Sequence, residues 1–215
     1  YSDITVFSFH PVKIITSGEG GMALTNNHNL AVKMALLRSH GITRDETLMA
    51  DNSHGNWHYE QLDLGFNYRM TDISASLGLS QLSKLNEFVE QRNLIADRYD
   101  ELLGDMPIVL PTRDTGSLSS FHLYIIRVES DSSQHAHKAL FDKFRSNGIG
   151  VNLHYIPIYK HPYYQKMGFN QELYPASELY YQSAISLPIF PTLTHEEQDS
   201  VAKIIQFPLG YQNIF

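Results

Sequence analysis

The chain has 215 residues, 42% of them hydrophobic, with 16 basic against 23 acidic side chains and a net charge of −7. That length allows one large domain or two small ones with a real core, and the acidic balance argues against nucleic acid or an anionic membrane surface as partner. With no cysteine it has neither disulfide nor thiolate metal site, which suits a reducing cytoplasm, and no apolar run approaches the ~20 residues that span a bilayer.

The sequence opens at "YSDITVFSFHPVK", without methionine and already reading as a strand, as expected of a piece of a longer protein. "DITVFSF" (3–9) is short and rich in β-formers, predicting a buried strand. After a glycine turn at 18–21, "MALTN" predicts a second strand. Asn29 is the candidate cap of a helix carrying Leu30, Met34, Leu37 and Arg38, ending near Gly41. Residues 42–65 are polar, lack periodicity and include Trp57; they predict a long ordered loop of the kind that is usually functional.

Thr71 opens a helical stretch with apolar residues at Ile73, Leu77, Leu85, Phe88, Ile95, Tyr99 and Leu102, broken near Ser83. It is long for a globular helix and is expected to bridge two domains. "MPIVLP" follows, then a loop at "TRDTGSLSS", a strand at "FHLYIIRVE" and an amphipathic helix at "QHAHKALFDKFRSNG" closed by Gly148. A strand at "IGVNLHY" and helical patterns at 175–186 and 194–207 complete an α+β module of small strands and covering helices.

One lysine stands apart. Lys13 lies between a serine–histidine run and the glycines of "TSGEGG". A lysine beside a turn is ordinarily an exposed side chain, its charged end snorkelling into water. Here Ser8 and His10 are close by, Pro11 fixes the backbone, and the glycines allow the chain to approach a ligand. An amine in a rigid, desolvated pocket becomes a nucleophile toward a carbonyl, and pyridoxal phosphate held as a lysine Schiff base is the natural partner.

These residues carry a resemblance. "SFHPVKIITSGEGG", "LRSHG", "DLGFNYRMTDISASLGLSQL", "HLYIIRV", "GIGVNLHYIPIYKHPYY" and "ISLPIFPTLTHEEQDSV" resemble, in order, the DegT/DnrJ/EryC1/StrS family of sugar aminotransferases. Within it the chain is most similar to enzymes that aminate a nucleotide-linked 4-keto sugar on the route to pseudaminic acid. The implied fold is α/β: residues 1–70 as the end of a fold-type I PLP-transferase large domain, 71–104 as a connecting helix or helix pair, and 105–215 as a complete α+β C-terminal small domain.

The resemblance implies pyridoxal 5′-phosphate as cofactor and Lys13 as the Schiff-base lysine, which also moves the proton during transamination. It implies Ser8 at the cofactor phosphate, Asn67 and Arg69 contributed to the site by a neighbouring subunit of a homodimer, and His154 and Tyr155 facing the substrate. The implied reaction moves an amino group from an amino acid, glutamate being expected, to the C4 ketone of a UDP-linked deoxy sugar in the cytoplasm. The family's preceding segment, with its phosphate-binding helix start, stacking aromatic ring and pyridinium-pairing aspartate, has no counterpart in this sequence, and Asp3 sits too near the lysine to replace that aspartate. Without such an aspartate the cofactor loses much of its power as an electron sink, so the chain by itself is expected to be inactive.

Other readings weigh less. A catalytically silent, self-associating domain would leave Lys13 merely exposed. A dehydratase on this scaffold would replace the lysine. His135 and His137 are two apart on a helical pattern and do not share a face, so no metal site is expected there or at His161. Glu19 reads as a turn residue; "IYKHPYYQKMGF" resembles the family's mobile segment near the sugar nucleotide, although aromatic stripes more often serve packing.

Overall fold

A computed structural model of the chain describes residues 2–51, 54–128, 133–169 and 173–206. The expected element ends at Glu129 and Phe207, and residues 208–215 of the expected small domain, lie outside the described residues. The chain forms two compact units, Tyr1–Leu85 and Asn86–Phe215.

In the first unit, β1 (Thr5–Ser8) and β2 (Gly21–Leu24) form an antiparallel hairpin in the register Thr5↔Leu24 to Ser8↔Gly21. β1 is not the buried strand its composition suggests. Every residue of both strands is exposed, because β1 has only β2 beside it in a two-stranded sheet. Helix α1 (His28–Arg38) is capped by Asn27, two residues before the expected Asn29. Asn27 has the extended backbone a cap needs (φ −91°, ψ 114°) and accepts the Leu30 N–H, whereas Asn29 already lies inside the first turn.

Past α1 the chain turns through His40 (φ 63°) and Gly41 (φ 70°). A Cβ on Gly41 would fall 1.8 Å from the Asp63 carbonyl oxygen, so only glycine permits this approach. The expected loop at 42–65 is closed at its base by two short strands, β3 (Ile42–Thr43) and β4 (Glu60–Gln61), paired antiparallel. Helix α2 (Asp72–Leu82) starts at Thr71, whose hydroxyl accepts the Ser74 N–H, and stops at Ser83, as its pattern predicts.

The second unit builds its core from the buried faces of three of its helices together with its sheet. On α3 (Leu85–Leu103), Arg92, Ile95, Ala96, Tyr99 and Leu103 are buried at the i, i+3, i+4, i+7 spacing of a single face. The sheet order is β5 (Ile108–Val109), β6 (Tyr124–Val128), β7 (Ala184–Leu187), all antiparallel. In β6, Tyr124, Ile126 and Val128 are buried and alternate with half-buried Ile125 and Arg127. Helices α4 (Ser133–Ser146), α5 (Pro162–Gln165), α6 (Pro175–Ser183) and α7 (His195–Gln206) follow, α4 adding Leu140 and Phe144 and α7 adding Val201, Ala202, Ile204 and Ile205 to the core. Thr194 and Glu197 cap α7 reciprocally, each side chain accepting the other's backbone N–H (3.2 and 2.8 Å).

Two sequence readings change here. The helical pattern at 175–186 ends at Ser183; Ala184–Leu187 is β7, fully buried, because pairing with β6 outweighs local propensity. The strand expected at "IGVNLHY" shrinks to a single bridge between Asn152 and Ser186. Arg92 locks the loops around this sheet, its Nη1 donating to the carbonyls of Phe121 (3.0 Å) and Ile189 (2.9 Å).

Candidate active site

The loop from Phe9 to Gly20 carries Lys13 and is built to stay in one shape. The Phe9 N–H donates to the Gly20 carbonyl (2.9 Å), closing its base. The Phe9 carbonyl accepts from the Ser17 N–H (3.0 Å) and the Thr16 hydroxyl (2.9 Å). Pro11 lies at the second position of a β-turn that the Lys13 N–H closes onto the His10 carbonyl (3.0 Å), a position its fixed φ suits. Ile15 and Ser17 are buried beneath the loop, and the Ser17 hydroxyl donates to the Glu19 carbonyl (2.9 Å). Lys13 is half-buried, and among the described residues its amine has no hydrogen-bond or ion-pair partner.

Ser8 ends β1, and its hydroxyl accepts the His10 N–H at 3.4 Å, which leaves its own O–H available as a donor. Asn67 and Arg69 lie on an exposed stretch tied to the end of α1. The Phe66 and Tyr68 N–H groups donate to the carbonyls of Leu37 (2.7 Å) and Arg38 (3.0 Å), and Ser39 bridges Asn67. This satisfies carbonyls that a helix end leaves without partners. Met70, the next residue, lies over Gly20: a Cβ on Gly20 would stand 2.5 Å from both Met70 Cε and Ser17 Oγ. Sequence reasoning did not find this link between the lysine loop and the Asn67–Arg69 stretch; the glycines of "GEGG" were its one trace.

His154 and Tyr155 belong to the second unit. The His154 imidazole is half-buried, with Nδ1 2.7 Å from the Ser186 hydroxyl, and the Tyr155 ring stands edge-on to it at 4.7 Å between centroids. Tyr155 is 69% exposed. Glu19, at the tip of the lysine loop, approaches His10 Nε2 at 4.0 Å across exposed surface.

Residues 1–206, which include the lysine loop and the serine at the end of β1, match one family of proteins. This chain belongs to the DegT/DnrJ/EryC1/StrS aminotransferase family. Among family members, a UDP-4-amino-4,6-dideoxy-N-acetyl-β-L-altrosamine transaminase from Campylobacter jejuni is 35% identical over 189 residues, 87% of this chain and 47% of that protein. Helicobacter pylori PseC, an aminotransferase involved in the biosynthesis of pseudoaminic acid, has the same fold with a TM-score of 0.85. It is 31% identical, over 97% of this chain and 54% of that one. Spr1654 from Streptococcus pneumoniae, solved in its PLP form, gives a TM-score of 0.85 at 31% identity, over 97% of this chain and 53% of that one. The chain spans about half the length of the curated relatives it matches. Among the described residues no helix is long and apolar enough to cross a membrane.

Proposed function

We propose that the protein is a pyridoxal-phosphate-dependent aminotransferase of the cytoplasm. It moves an amino group from an amino acid, with glutamate as donor, to the C4 ketone of a UDP-linked deoxy sugar. The observation that carries this reading is Lys13: a half-buried lysine on a braced turn, with no carboxylate to hold its amine among the described residues. An amine so placed is available to a carbonyl. The residues fit the cofactor: Ser8 offers a hydroxyl donor suited to a phosphate oxygen, and the missing side chain at Gly20 keeps the lysine loop tightly folded.

When bound, pyridoxal phosphate supplies an aldehyde for a lysine amine and a ring that takes up the electrons of the bond broken at the amino carbon. Lys13 would hold the cofactor through Nζ and, with that amine free, would accept and return a proton as base and then acid. Ser8 binds the phosphate. Asn67 and Arg69, on their exposed stretch, serve the corresponding site of a second copy, so the working enzyme is a homodimer. His154 and Tyr155 face the sugar nucleotide. The likeness to the Campylobacter transaminase and to PseC supports the choice of sugar.

The test is chemical. Full-length protein purified with its cofactor is yellow, and borohydride followed by peptide mapping fixes the label on the peptide holding Lys13. Label on any other lysine would remove the assignment. Lys13→Arg abolishes turnover, because a guanidinium neither forms the imine nor gives up its proton at neutral pH.

A further inference from the structure

We infer that Ser186 is the positioning residue of His154: its hydroxyl donates to Nδ1, which makes Nε2 the proton-bearing nitrogen of the neutral imidazole and fixes the orientation of the ring. This rests on the substrate-facing role proposed for His154. The two residues are 32 apart in the chain, yet Nδ1 and the Ser186 hydroxyl are 2.7 Å apart. Ser186 is 4% exposed, within β7. Its backbone N–H donates to the Asn152 carbonyl (2.8 Å) and its carbonyl accepts from the Asn152 N–H (3.3 Å). That reciprocal pair draws the stretch bearing His154 alongside β7.

The direction of the side-chain bond follows from the donors to be satisfied. Among the described residues, His154 is the one hydrogen-bond partner of the Ser186 hydroxyl. If Nδ1–H were the donor, the single hydrogen of that buried hydroxyl would have no acceptor, at the full desolvation cost of a buried donor. A spare lone pair on the hydroxyl costs less, so Ser186 donates and Nδ1 accepts. A neutral imidazole accepting at Nδ1 carries its proton on Nε2. The edge-on Tyr155 ring steadies the imidazole from a second side.

Two measurements on the full-length enzyme test this. In protein labelled with ¹⁵N-histidine at about pH 8, above the ordinary histidine range, the signal lost in His154→Gln should show protonated Nε2 and bare Nδ1. A protonated Nδ1 overturns the inference whatever the reaction. Kinetics are read with UDP-4-amino-4,6-dideoxy-N-acetyl-β-L-altrosamine and 2-oxoglutarate as probes. Ser186→Ala should raise KM for the sugar nucleotide about tenfold and leave kcat within about twofold. Ser183→Ala removes the same atom from another buried serine, one that bonds to the Leu179 carbonyl, and should leave KM unchanged. An unchanged KM in Ser186→Ala, or an equal rise in Ser183→Ala, overturns the positioning role. If neither probe turns over in the unaltered enzyme, the proposed substrate is overturned, while the tautomer is still read without any substrate.

Discussion

At the scale of single residues, the lysine loop depends on one missing side chain. Gly20 has φ +154°, and a Cβ there would press on Met70 Cε and the buried Ser17 hydroxyl at 2.5 Å. The thioether end can swing away; the serine, bonded to the Glu19 carbonyl, has less room. Gly20→Ala is therefore expected to strain the loop by about 1–3 kcal/mol and loosen the turn that presents Lys13. Visible absorbance after gel filtration checks this: the variant loses bound cofactor that the unaltered protein retains. Equal retention would show that the loop absorbs the methyl group without moving the lysine.

At the scale of elements, the two units contrast in how their helices and strands are supported. Phe144, on α4, is fully buried in the core that α3, β6, β7 and α7 share. Phe144→Ala should cost about 3–5 kcal/mol, read as a lower urea midpoint of the second unit's transition. In the first unit, Glu60 ties down part of the loop between β3 and β4. Glu60 accepts the N–H groups of Ala50 (2.7 Å) and Asp51 (3.0 Å), and these bonds, the Ala50 one foremost, pull its carboxyl below the ordinary glutamate range. A depressed carboxyl contributes stability above its unfolded value and loses it as pH falls through the folded value. Protection of the Ala50 and Asp51 amides, corrected for intrinsic rates, should thus fall on acidification below the ordinary glutamate range. Glu60→Gln should show the same loss at neutral pH. Protection that is flat with pH would mean that backbone pairing alone holds the loop.

At the scale of the whole molecule, the proposed homodimer has a consequence that single-chain measurements miss. Asn67 and Arg69 are exposed, and among the described residues Arg69 has no hydrogen-bond or ion-pair partner. If they complete a second copy's site, an inactive Lys13→Arg chain and an inactive Asn67→Ala/Arg69→Ala chain should restore partial activity when mixed. Each heterodimer then keeps one intact site. No recovery after verified subunit exchange would show that each site is built within one chain. The first unit's surface agrees with a need for partners: Val6, Leu64, Ile73 and Leu79 are all exposed on it.

The sequence by itself determined what is decided within a few residues. The cap at Thr71, the break at Ser83, the hairpin around the glycines and the proline-led turn before Lys13 follow from backbone sterics and short-range hydrogen bonds. It also determined the family, because the motifs stand in one order along the chain. The tertiary structure decided the rest. Ala184–Leu187 continues a helical pattern in sequence but becomes a strand, since β6 pairs with its backbone along its length, Asn152 bridges Ser186, and the core takes its side chains. The boundary between the two compact units at Leu85 reflects the buried stripe of α3 in the second unit's core. The contact between Ser186 and His154 left no local trace, because a hydrogen bond across 32 residues exists only once the sheet has brought β7 and the Asn152 bridge together.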